Sequence, residues 1–313
     1  MPNVSPRSLP WSDTAAAIGV VAAVLQVVAT SLGLSEILRF PASTWLKVAT
    51  SFDLVGWVFV LAAFAAALAG FLAGSRRTLA VSAGLFVGFG VSTLVAALIE
   101  LIESWGSFFE PWEFKADGIA ESAAAASLVI AALLVLIGVL AARPDRLLGW
   151  GSVGLAGWAG LLATGYSFQL AGYLRFGQIP SEVTWGFGTH AGGYALTGVA
   201  AVVAAVAFFK ASGRRKRGEP WAARREGALG TAAIVFGVGF LVSSVGLMLL
   251  ASQINGVGRE EASYWLMAVG QLFLAFAAVC GAIGFFSSRG DAERRGRLED
   301  GDGPDLSPLA DPR

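Results

Sequence analysis

The chain is poor in reactive and charged side chains, and each shortage removes a class of function. Its single cysteine, Cys280, excludes an intrachain disulfide and a cysteine-cluster metal site. Its single histidine, His190, excludes bis-histidine haem ligation, and no matching Cys or carboxylate spacing signals zinc. Only 14% of the 313 residues are charged. None of those charges falls in the central third of a long apolar run, which argues against a proton relay, a voltage sensor and a retinal Schiff base. Strings of the G-x-S-x-G, H-E-x-x-H or Walker A type are missing, and no soluble stretch is large enough to house an active site. The sequence therefore predicts a non-enzymatic protein with no catalytic residues, no cofactor and no metal.

What fills the chain is hydrophobic residue, 56% of the total, with a mean hydropathy of +0.68. Runs free of Lys, Arg, Asp and Glu and long enough to cross about 30 Å of hydrocarbon lie near 15–37, 54–74, 78–99, 122–142, 148–173, 187–209, 227–251 and 263–287. Eight transmembrane helices are expected. Residues 1–14 form a short cytoplasmic lead, and residues 289–313, rich in Gly, Asp, Arg and Pro, form a disordered cytoplasmic tail.

The formal net charge of zero hides a separation. With the N-terminus inside, 17 of the 22 basic residues fall on the inner side, and only Arg39, Lys47, Lys115, Arg175 and Arg259 face out. Lys and Arg excess in short loops fixes orientation, so both termini are expected in the cytoplasm and the protein in the plasma (inner) membrane. Eleven acids lie outside, Glu36, Asp53, Glu100, Glu103, Glu110, Glu113, Asp117 and Glu121 among them, which reads as a solvated acidic rim. The basic stretch 210–225 faces anionic lipid and directs insertion; nucleic acid is not a predicted partner. Membrane lipid is the expected partner, with other membrane subunits or a second copy docking through Gly and Ala faces.

An internal echo organises the rest. Val87-Gly88-Phe89-Gly90-Val91-Ser92-Thr93-Leu94 returns as Val238-Gly239-Phe240-Leu241-Val242-Ser243-Ser244-Val245, each near mid-depth in its span. Leu38-Arg39-Phe40 recurs as Leu174-Arg175-Phe176, and Thr44-Trp45 as Thr184-Trp185, in the same order. These matches predict an all-α polytopic membrane protein built as two parallel tandem four-helix repeats, 15–142 and 143–288. An even number of spans per copy relates them by an axis along the membrane normal.

Candidate sites follow from that arrangement. Ser92, Thr93, Ser243 and Ser244 would line the interface between halves if the third and seventh helices face each other. Gln26 and Gln271 are the large polar side chains well inside spans, and each needs a partner in the bundle interior. Arg39, Asp53, Arg175 and His190 mark the outer mouth. The 104–118 stretch places Trp105, Phe108, Phe109 and Trp112 on one helical face, predicting a segment lying flat on the outer leaflet. Gly149-Trp150-Gly151-Ser152-Val153-Gly154 matches a dinucleotide string but lies in a membrane run, where a glycine packing face is the better account. The functional expectation is binding or passage of a small solute or lipid at the inter-repeat interface. The alternatives are an accessory or scaffold subunit without a pathway, and a membrane enzyme acting on lipid at the outer mouth.

Overall fold

The computed structural model describes residues 12–39, 43–106, 111–141, 144–176, 185–215, 220–251 and 259–299. Among them are eight helices: α1 Ser12–Arg39, α2 Thr44–Ala73, α3 Arg76–Gly106, α4 Trp112–Leu140, α5 Pro144–Phe176, α6 Trp185–Arg215, α7 Pro220–Ala251 and α8 Arg259–Glu299. All eight are long and apolar enough to cross a membrane, so the chain is an integral, multi-pass membrane protein. Eight crossings return both termini to one side. The face holding the α1/α2, α3/α4, α5/α6 and α7/α8 connections is called the acidic face below; the opposite one is the basic face.

Helix boundaries follow local chemistry. Ser43 caps α2, its Oγ accepting from the Leu46 amide at 3.0 Å. Gly74 ends that helix in the left-handed region at φ 66°, and one turn earlier Gly70 packs against Leu79 of α3. Pro111 stands at the N-cap of α4, ahead of the first turn, where its missing amide costs no helical hydrogen bond. That start corrects the 104–118 expectation. Residues 104–106, with exposed Trp105, belong to the last turn of α3 and residues 112–118, opening on exposed Trp112, to the start of α4, so the two tryptophans do not share one helix; residues 107–110, with Phe108 and Phe109, lie outside the described residues. The helices outrun the charge-free runs because a 30-residue helix is about 45 Å long, and its ends carry charges beyond the hydrocarbon. For the same reason α8 continues to Glu299, so the tail expected to be disordered from 289 is helical as far as that residue. Exposed Trp45, Trp105, Trp112 and Trp265 stand near the acidic face and Trp150 near the basic face, as interfacial tryptophans do.

The principal neighbours are α1·α2, α2·α3, α3·α4, α4·α5, α5·α8, α7·α8, α6·α7 and α1·α6. Each helix has two of them, so the eight close into a ring in the order α1, α2, α3, α4, α5, α8, α7, α6. The tandem repeat does not carry over into this order. The first four helices follow chain sequence around the ring, whereas the last four run α5, α8, α7, α6, and α5·α6 is not among the principal pairs. Rotation about an upright axis would preserve the sense of circulation. The echo therefore stands as a property of the sequence, while the packing assigns α3 and α7 to separate neighbours.

Small residues draw the helices together. The glycine face of α5 meets α4, Gly151 at Val135 and Gly154 at Ala131. At α6·α7, Gly198 and Gly237 each approach the other's carbonyl, and Gly239 and Gly270 do the same at α7·α8. Hydroxyls stitch adjacent helices: Ser82 Oγ donates to Ala63 O, Ser122 Oγ to Ala97 O, Ser127 Oγ to Gly154 O and Ser263 Oγ to Gly246 O, at 2.7–3.3 Å.

The ring has an inside. On α6 the exposed stripe is Val199, Val202 and Val206, and the flanks are buried, Gly193 against α1 and Gly198 against α7. The opposite stripe, His190, Tyr194, Thr197, Ala201, Ala204 and Phe208, keeps accessible surface. On α5, Trp150, Val153, Thr164 and Leu174 are exposed and Gly151, Ala159, Ala163 and Gly165 are buried. Leu155, Trp158, Leu162 and Tyr166, across the helix from the exposed stripe, are again only half-buried. A helix with two opposed accessible stripes separated by buried flanks is a stave around an accessible interior.

Candidate functional site: a carboxylate and tyrosine chamber

Near the acidic face that interior is polar. Asp53 of α2, Glu100 of α3 and Asp117 and Glu121 of α4 lie within electrostatic range of one another. Tyr166 of α5 lies within range of Asp117, Glu121, Tyr194 of α6 and Tyr264 of α8. Asp53 and Glu121 are each nine residues into their helices, Tyr194 likewise, and Tyr166 is ten from the end of α5. At 1.5 Å per residue these groups share a layer about 14–15 Å below the helix ends, with Glu100 slightly above. Asp53, Glu100, Glu121, Tyr166 and Tyr194 are hemmed in by protein yet keep accessible surface, as the lining of an internal chamber does.

Asp117 holds the wall between α4 and α5. Its Oδ2 accepts from Gln169 Nε2 at 2.6 Å, while its Oδ1, in a residue 8% exposed, has no hydrogen-bond partner. Gly165 leaves room for that oxygen; a β-carbon there would lie 2.6 Å from it. One turn nearer the acidic face, Arg175 Nη1 pairs with Glu113 Oε1 at 2.7 Å, and Trp112 meets Phe168 edge-on. Burial alone would raise the Glu113 pKa, but the hydrogen bond and charge of Arg175, with a backbone hydrogen bond, outweigh it and hold the carboxyl below its ordinary value of 4.5.

The α1·α6 wall is closed by Gln26, 1% exposed. Its Nε2 donates to His190 O at 3.1 Å and its Oε1 contacts His190 Nδ1, while Gly193 gives its side chain space. The His190 ring lies 6.4 Å from that of Trp57, so this wall reaches α2. Below the chamber two aromatic columns descend toward the basic face. One runs Tyr194, Phe240, Phe236, with centroids 5.2 and 4.9 Å apart; the other pairs Trp57 with Phe89 and then Phe64 with Phe86.

The residues singled out from sequence divide among these places. Asp53 and Thr93 face inward, Thr93 seven residues below Glu100 on the face opposite exposed Val91 and Leu98. Ser92 Oγ instead donates to Phe52 O of α2, and Ser244 Oγ to Ala191 O of α6 at 2.8 Å. Ser243, 1% exposed, lies against Gly270 of α8, and its Oγ has no hydrogen-bond partner. These serines join neighbouring helices and do not meet across an axis. Gln271 is buried in α8, its Oε1 unpartnered. Arg175 and His190 are tied to Glu113 and Gln26, whereas Arg39 is exposed at the end of α1, so the two arginines do not form a matched pair.

Sequence alone does not mark Glu100, Asp117, Glu121 and the tyrosines as site residues, since acids at helix ends read as a solvated rim. One signal points inward: Asp117 and Glu121 are one turn apart on a helix. Among the described residues no group of three or more His, Cys, Asp and Glu side chains is arranged to hold a metal ion. No protein-family model, curated protein or solved structure matches this chain.

Proposed function

We propose that the protein binds a small organic cation in the chamber and passes it along the interior of the ring, with no covalent chemistry. The observation that carries this reading is the convergence of four carboxylates and three tyrosines from six helices at the acidic end of the ring. Like charges withdrawn from bulk water are costly without a counter-charge, and a cation supplies it. Tyrosine faces add attraction for a diffuse positive charge. A metal ion would need three or four carboxylate oxygens converging within about 2.6 Å, whereas an ammonium group is served by spread charge and aromatic faces.

In this reading the acidic face is external and both termini are cytoplasmic, because most of the Lys and Arg lies on the basic face. On that face Arg225 of α7 bonds Asp145 of α5 at 2.7 Å and lies 5.3 Å over the Phe285 ring of α8. The glycine faces that a scaffold would offer to other chains are occupied within the ring at α4·α5, α6·α7 and α7·α8, which supports a self-contained bundle.

The test is reconstitution into liposomes and measurement of uptake of radiolabelled tetramethylammonium. Saturable uptake is expected, reduced at least tenfold in Asp53→Asn and Glu121→Gln variants that melt like the parent. Uptake equal to protein-free liposomes, or unaffected by both substitutions, would overturn the proposal.

A further inference from the structure

His190 of α6 lies outside the acidic cluster, and its neighbours fix how it can bond. It keeps accessible surface and stands nine residues before exposed Val199, two and a half turns, so it faces away from lipid. Its ring lies 6.4 Å from that of Trp57 on α2, and α1 separates α2 from α6 in the ring of helices. Two rings can meet past α1 in this way on its inner side, so the imidazole borders the interior.

Gln26 decides which ring nitrogen carries the hydrogen. Its Nε2 donates to His190 O at 3.1 Å, a contact its amide oxygen could not make, so the amide has one orientation. Its Oε1 is then the atom at His190 Nδ1, and an oxygen that can only accept requires a hydrogen on Nδ1. Among the described residues no carboxylate pairs with His190, and an imidazole without such a partner is predominantly neutral at neutral pH. A neutral ring with Nδ1–H leaves Nε2 bare, pointing away from Gln26. Among the described residues no donor reaches it.

We infer that His190 Nε2 is the acceptor by which the interior selects cations bearing an N–H, with Gln26 the positioning residue that keeps that nitrogen bare. The inference rests on the cation reading above and names which cations are preferred. A protonated tertiary amine offers Nε2 one hydrogen; a quaternary ammonium offers only methyl groups and leaves it unpaired. Carboxylates also favour an N–H, so the discriminating quantity is the change in preference when His190 is altered.

The experiment uses the full chain in liposomes, its histidine labelled with the heavy nitrogen isotope, since one histidine gives one pair of ring signals. Solid-state NMR at neutral pH should show Nδ1 protonated and Nε2 bare. Gln26→Met, which removes the acceptor, should populate the Nε2–H form. Saturating trimethylammonium should move the Nε2 signal toward the protonated value, and tetramethylammonium should leave it in place. In competition against radiolabelled tetramethylammonium, the preference for trimethylammonium should fall about tenfold in a His190→Phe variant that melts like the parent. A hydrogen on Nε2 in the parent would overturn the inference. So would a preference unchanged in His190→Phe while both cations still bind, an outcome that leaves the cation reading in place. Saturable binding by neither cation would overturn both.

Discussion

The closure of the ring between α1 and α6 is most directly tested at Gln26. Its side chain is 1% exposed, donates to His190 O at 3.1 Å and contacts His190 Nδ1. Gln26→Ala removes both contacts, each worth about 0.6–1.7 kcal/mol between membrane helices. It also leaves His190 Nδ1 without this partner, at about 1–3 kcal/mol, and opens a gap beside Gly193 where no neighbouring side chain can follow. The expected loss is about 2–4 kcal/mol. Gln26→Met keeps the volume and forfeits only the polar contacts, so about 1–2 kcal/mol is expected. Reversible unfolding in mixed micelles, monitored by helix content, gives both numbers. A cycle with His190→Ala should show coupling of at least 0.5 kcal/mol. If Gln26→Ala lies within 0.5 kcal/mol of the parent, or the cycle is additive, the pair does not hold this wall and the ring is closed by packing alone.

Three further outcomes follow from the geometry. Gly198→Ala should destabilise by about 1–3 kcal/mol in the same assay, because the new β-carbon would sit 2.8 Å from Gly237 O, a backbone atom that moves only with its helix. Gly165→Ala should displace Asp117 Oδ1 and break the Gln169 bond, read as lowered affinity for tetramethylammonium together with a lower melting temperature; retention of both would show that the carboxyl adapts freely. The Arg175 pair gives a pH signature. Because Glu113 is held below 4.5 in the folded protein, its pairing stabilises at neutral pH and is lost as pH falls through that lowered value. The melting-temperature gap between the parent and Arg175→Gln should therefore be constant near neutrality and close on acidification; a gap that widens in acid would contradict the assignment.

Membrane class, the number of helices and their approximate placement were legible in the chain alone, since hydrocarbon thickness demands about 20 apolar residues per crossing and leaves little freedom. So was the use of glycine on α5 for packing, because small residues at helical spacing have few other uses in lipid. Helix ends were not legible, because scanning for charge-free runs stops at the first charge, while helices such as α4, with Glu113, Asp117 and Glu121 in its first turns, continue past the bilayer. Nor was neighbour order: a repeated sequence constrains each helix's own faces, but which faces meet depends on loops and on side-chain fit between helices remote in the chain. That order alone decided that Ser92 and Ser244 bond the helices beside them, that Gln26 reaches His190 across 164 positions, and that carboxylates with the look of a solvated rim turn inward around one chamber. Charge and hydropathy are properties of single residues, whereas an enclosed site belongs to several helices at once and exists only when the ring is shut.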